Sequence, residues 1–145
     1  MAMGAVAFHF NVPQRQDYTC RLLRKACRAG ARVAVTGDSA ALGELDRQLW
    51  IFDPIDFVPH WRGVSADRLP ARLKATPIVL LDQAGTQAGH DVLLNLAEQV
   101  PDCASQFARV IEVVGRSEAD RSQARLRWRH YASLGAAIER HEVRP

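Results

Sequence analysis

Apolar positions along this chain fall into two rhythms that alternate with one another. Ala5 to Phe10 alternates loosely and stops before Asn11 and Pro13, which predicts a first strand. From about Arg15 to Ala29, Cys20, Leu22, Leu23, Ala26 and Cys27 make an apolar helical stripe. Arg21, Arg24, Lys25 and Arg28 cover the other faces, and Gly30 is placed to terminate the helix. Arg32 to Thr36 then reads as a short buried strand. Strand, helix and strand with tight connections form a βαβ unit, the start of a parallel sheet.

The alternation continues downstream. Gly37-Asp38-Ser39 leads into a helix with Leu42, Leu45 and Leu49 on one face, capped by Asp38 or Ser39. Trp50 to Trp61 (WIFDPIDFVPHW) packs four large aromatics among two prolines and cannot be a regular helix. It reads either as a loop folded over the sheet edge or as an aromatic partner-binding surface. Gly63 to Lys74 is polar and reads as a mobile connection. Pro77 to Leu81 predicts a central strand, Asp82 to Gly89 a loop, Asp91 to Leu96 a strand or a helix start, with its shortness and flanks favouring a strand, and Pro101 to Ser105 a loop or turn. The expected fold class is α/β: a three-layer, Rossmann-like open sheet, mostly parallel, with helices on both faces. We expect one domain over residues 1–145, with 137–145 a frayed tail.

Val110 to Leu134 is the most informative stretch. Val110, Ile111, Val113 and Val114 predict a strand that breaks at Gly115 and gives way to a helix. Ser117 with Asp120 approximates a capping box. At about 100° per residue, Arg121, Arg125 and Trp128 stack on one side with Arg129 at the edge. Ala119, Leu126 and His130 lie opposite, flanked by Tyr131 and Leu134, and are expected to face the core. A guanidinium row beside an indole suits an anionic peptide with an apolar end, or a single-stranded nucleic acid. The plainer alternative is a solvated basic face with Trp128 tucked at its rim.

Composition narrows the possibilities. The net charge of +3 over 145 residues is too small by itself to argue for duplex DNA binding, so the local arginine row matters more than the total. Three cysteines without a C-x-x-C make no disulfide framework; reduced thiols in a cytosolic chain are expected. No stretch reads as a signal peptide or membrane span. His9, His60, His90, His130 and His141 are scattered without a metal-binding pattern, so no metal is expected. Ser39 lacks the G-x-S-x-G elbow, and Asp53 with Asp56 read as turn caps. The Gly37-Asp38-Ser39 turn matches no phosphate-binding glycine pattern. It leaves a nucleotide-binding α/β enzyme as one alternative, beside a direct single-stranded nucleic-acid binder. A non-catalytic binding protein fits the residues best.

Two local signatures, in this order, resemble the chi subunit of bacterial DNA polymerase III holoenzyme. They are Leu49-Trp50 followed by Phe57-Val58-Pro59-His60, and the pattern EVV…R…AR.RW..Y from Glu112 to Tyr131. The resemblance runs from Phe8 to about Leu134. It implies an accessory, non-catalytic adaptor within a DNA-directed DNA polymerase (nucleotidyltransferase) complex, cytoplasmic and replisome-associated, without a cofactor. Members of that family bind the acidic C-terminal tail of single-stranded DNA-binding protein, and through a second surface the psi subunit of the clamp-loader complex. Position by position, Val114, Arg121, Arg125 and Trp128 fall at the tail pocket, with Arg129 beside them. Arg121 and Trp128 stand where a lysine and a tyrosine are more familiar. Trp50 and Phe57 fall at the psi surface, where a helicase is an alternative partner. On this reading DNA is reached only indirectly.

Overall fold

The computed structural model describes residues 3–53, 55, 57–84 and 90–144. Seven strands form one sheet: β1 (Ala5–Val12), β2 (Val33–Thr36), β3 (His60–Gly63), β4 (Ile78–Leu81), β5 (Val92–Asn95), β6 (Arg109–Gly115) and β7 (Ala137–Glu142). They lie in the order β3-β4-β2-β5-β6-β1-β7, and all neighbours run parallel. Helices α1 (Arg15–Arg28), α2 (Ser39–Ile51) and α3 (Glu118–Ser133) cover it.

Period-two alternation divides the core between the faces of the sheet. Val33, Val35, Ile78, Leu80, Leu94, Ile111 and Val113 pack with Cys20 and Leu23 of α1 and Leu42, Leu45 and Leu49 of α2. Val6, Phe8, Ala34, Val79, Leu81, Leu93, Val110 and Val114 face Ala124 and Tyr131 of α3 and the short turn containing Cys103 and Ala104. The expected three-layer α/β architecture is therefore present. Central strands buried on both faces explain why VAVT and IVLL lack alternation in sequence.

Helix boundaries follow local chemistry. The Asp38 side chain accepts from Ala41 N–H at the start of α2, and Ser117 Oγ accepts from Asp120 N–H at the start of α3. Gly30 and Gly135, both at φ +80°, end α1 and α3 in the left-handed conformation that glycine adopts without strain.

Several expectations are corrected. The segment from Ala137 is not frayed: residues 137–142 form the edge strand β7, in register with β1 from Ala5↔Ala137 to Phe10↔Glu142. Its sequence, AIERHE, hides this because an edge strand held by backbone bonds to one neighbour needs few apolar anchors. Trp50 and Ile51 complete α2 rather than opening the loop. His60–Gly63, expected to be loop, is the opposite edge strand; the Trp61 indole lies so close over Gly63 that a Cβ there would clash with it. The connection from Gly63 to Lys74 contains two short 3-10 turns, with Ala66 and Leu69 packed on the core.

On the α1 side of β1, the Tyr18 hydroxyl and His9 Nδ1 are hydrogen-bonded, and the His9 and His141 rings lie 4.9 Å apart. Burial first, then the charges of His141, Arg109 and Lys25, lowers the His9 pKa from 6.5 to about 4. The folded protein holds this imidazole neutral where the unfolded chain takes up a proton. The stability linked to it is complete above pH 6.5 and is lost as pH falls toward about 4. Urea midpoints should therefore fall across that window, and His9→Gln should flatten the fall; equal pH slopes for the two proteins would refute this assignment.

Candidate functional site

The start of α3 stands over the carboxyl end of β6. Val114, buried at that end, forms the floor of a cleft of about 660 Å³. Arg121, Ala124, Arg125, Trp128 and Arg129 of α3 make one wall. Phe8, Phe10 and Asn11 of β1, with Arg140 and Glu142 of β7, make the other. Four guanidiniums thus line the cleft against one carboxylate. Arg125 Nη2 reaches Glu118 Oε1 at 2.7 Å, an exposed pair on the rim. Arg140 stacks over the Phe10 ring, 4.8 Å from its centroid. Arg121 and Arg129 have no ion pair among the described residues.

Trp128 belongs to both core and cleft. Its ring packs 5.0 Å from Phe8, tilted by 45°, and it is half-buried while lining the opening. This gives the cleft an apolar end beside its cations. The five residues expected to act together here, Val114, Arg121, Arg125, Trp128 and Arg129, are brought together.

A second surface lies by the other edge of the sheet. Trp50 and Phe57 are 61% and 46% exposed, with ring centroids 5.0 Å apart. Ile51 and Ile55 extend this apolar patch. His60 supports it from beneath: its side chain is buried, its ring meets Trp50 edge-on at 5.1 Å, and Nε2 lies 3.1 Å from Asp46 Oδ1. Asp53 fixes the preceding turn by accepting from Ile55 N–H and pairing with Arg24 at 3.0 Å. Asp56 falls outside the described residues.

The carboxyl ends of β2, β4 and β5, where open α/β sheets commonly bind ligands, form a larger cleft of about 940 Å³. Among the described residues, Asp38, Asp82, Glu98 and Asp102 line it without a lysine or arginine. Asp38 already caps α2, so the helix terminus that would attract a phosphate is occupied by the chain's own carboxylate. This chemistry disfavours a nucleotide at Gly37-Asp38-Ser39. Among the described residues no group of three or more His, Cys, Asp or Glu side chains could hold a metal, and no helix is long and apolar enough to cross a membrane.

The family model described as DNA polymerase III chi subunit, HolC, matches residues 3–139. The DNA polymerase III subunit chi of Haemophilus influenzae is 32% identical over 131 residues, 88% of this chain and 87% of the relative. The protein of the same name from Pseudomonas aeruginosa is 32% identical over 130 residues, 89% of this chain and 87% of the relative. The chain belongs to the DNA polymerase III chi subunit family.

As a chi-family chain it is an accessory subunit of a polymerase complex. The structure adds cleft residues that sequence reasoning missed: Phe8, Phe10, Asn11, Arg140 and Glu142. Strict alternation along β1 could have placed Phe8 and Phe10 on one face; Arg140 and Glu142 were hidden by the tail's polarity.

The buried face of α3 also differs from expectation. Ala119, Leu126 and His130 face solvent, with Leu126 56% exposed, whereas Ala124, Arg127 and Tyr131 are buried. Leu134 is exposed as well, and Tyr131 alone of the expected core set is fully buried. The physical reason is Glu112, which is fully buried on β6. Its Oε1 accepts from Arg127 Nε at 2.9 Å, and its Oε2 from Tyr131 Oη at 2.6 Å and Asn95 Nδ2 at 2.9 Å. Burial pushes the Glu112 carboxyl up from its ordinary range, while Arg127, Asn95 and Tyr131 pull against that shift. Removing one partner of such a pair strands a buried charge, so Arg127→Ala should cost about 3–5 kcal/mol in urea unfolding. Leu126→Gln should change stability by no more than about 0.5 kcal/mol; the reverse ranking would mean that α3 is rolled differently.

Proposed function

We propose that this chi-family chain is a non-catalytic adaptor whose cleft receives the acidic C-terminal tail of single-stranded DNA-binding protein. The observation that carries the reading is the convergence of four arginines on an opening closed at one end by Trp128, Phe8 and Val114. Arg121, Arg125 and Arg129 meet tail carboxylates from one side, and Arg140 meets them from the other. Arg125 is free to exchange its rim partner, because an exposed ion pair such as that with Glu118 contributes little. The half-buried Trp128 supplies an apolar wall for a terminal phenylalanine. With the ring packed on Phe8, it is poorly placed to stack freely on bases, which favours a peptide over a direct nucleic-acid contact here.

Trp50 and Phe57 form the second docking surface in this reading, for the psi subunit or a helicase that takes its place. Six strand spacings separate the two edges of the sheet, roughly 29 Å for a flat sheet, so both surfaces are available together. The chain then links a replisome-associated tail to the clamp-loader complex in the cytoplasm.

Titration of a labelled acidic, Phe-terminated tail peptide tests the pocket. Arg125→Ala should weaken binding about 30-fold, the scale of a 2 kcal/mol hot spot, and the wild-type affinity should fall with added salt. Trp50→Ala should leave tail affinity unchanged while weakening capture of psi. Equal tail binding by wild type and Arg125→Ala would remove the pocket from this account.

A further inference from the structure

A third cleft, of about 460 Å³, lies between α1 and the end of β7, on the face of the sheet opposite the arginine cleft. We propose that it is a second anion site, one that seats the phosphate of a nucleotide unit. Arg21 and Lys25 reach it from α1 and Arg144 from beyond β7. Among the described residues no carboxylate lines it, and none of these three cations has an ion pair. Arg21 and Lys25 are four residues apart, so they stand about 6 Å apart along one face of α1. Arg144 closes on them from a different element.

Like charges gathered around one opening repel unless a counter-charge arrives. The lining registers part of that potential: burial is the main cause that keeps His9 neutral and Lys25 adds to it, while Arg21 acts on Tyr18 to favour its ionised form. A phosphate fits better than a single carboxylate because three cations can share its oxygens and its larger charge. Leu22 and Val143 supply an apolar side against which a ring can rest, and the volume suits a small ligand. The acidic cleft at the carboxyl ends of the central strands offers the opposite chemistry. Alternation along β1 turns His9 toward this cleft and Phe8 and Phe10 toward the arginine cleft, so the two sites do not compete. Where the arginine cleft reaches DNA only through a protein tail, this face adds a direct phosphate contact.

The phosphate can come from a single strand or from a free nucleotide, and one experiment separates the sources. A labelled oligothymidylate is titrated into the full chain by fluorescence anisotropy at low salt, with thymidine monophosphate titrated separately by calorimetry. Binding of either probe should weaken at least tenfold in the double variant Arg21→Gln/Lys25→Gln. For the oligonucleotide, the slope of log affinity against log salt should also shrink by about 1.4, the release expected from two phosphate contacts. Arg144→Gln, from the other wall, should weaken binding independently, and Arg125→Ala should not. Where the double variant weakens it, oligonucleotide binding alone assigns the site to a strand and monophosphate binding alone assigns it to a free nucleotide; each supports the proposal. Failure of both probes to bind, or loss through Arg125→Ala with the double variant behaving as wild type, overturns it. Tail-peptide binding is a separate measurement, so this site and the arginine cleft fail independently.

Discussion

One buried carboxylate decides how this molecule presents its arginines. Glu112 sits in the middle of β6 with no exposure, and a carboxylate there costs several kcal/mol unless its oxygens are satisfied. Arg127, Tyr131 and Asn95 satisfy them. Arg127 and Tyr131 are one turn apart on α3, so both reach Glu112 only when the helix is rolled to one angle. Apolar packing is non-directional, whereas three donors on one carboxylate admit a single orientation. That orientation turns Arg121, Arg125 and Arg129 toward β1 and β7 and sends Leu126 to solvent. The same network reaches beyond β5, where Arg127 donates to the Glu98 carbonyl and Asn95 to the Gln99 carbonyl.

An all-parallel sheet leaves two edges, and this chain places a candidate docking surface near each. At one edge, β7 supplies Arg140 and Glu142 to the cleft under α3. At the other, β3 carries Trp61 over its own Gly63 and is flanked by the exposed Trp50 and Phe57. The ends of the central strands, where the same architecture would otherwise hold a nucleotide, are lined by four carboxylates. The fold is thus shared with ligand-binding α/β proteins, while the proposed docking surfaces lie at its margins.

Much of this was legible along the chain. The βαβ opening, the Asp38 and Ser117 caps, and the apolar strands VAVT and IVLL need only local rules. The cationic row on α3 could be read from spacing alone, as could the aromatic cluster after α2. What local rules missed were features that depend on a distant neighbour. AIERHE becomes a strand because β1 offers it a ladder. HWRG becomes one because β4 does. Arg127 is buried, against its usual preference, because Glu112 waits on the sheet.

The sequence by itself determined which segments are helix and strand in the interior, that the sheet is mostly parallel, and that cations and an indole share one helix. Those follow from periodicity, capping and short connections, all of which act within a few residues. Tertiary structure alone decided the roll of α3, the strand at the carboxyl end, and the wall of Phe8, Phe10 and Arg140 that turns a basic helix face into a cleft. Each of these rests on a contact between residues far apart in the chain, such as Phe10 with Arg140 or Glu112 with Arg127, and no local pattern encodes such a meeting.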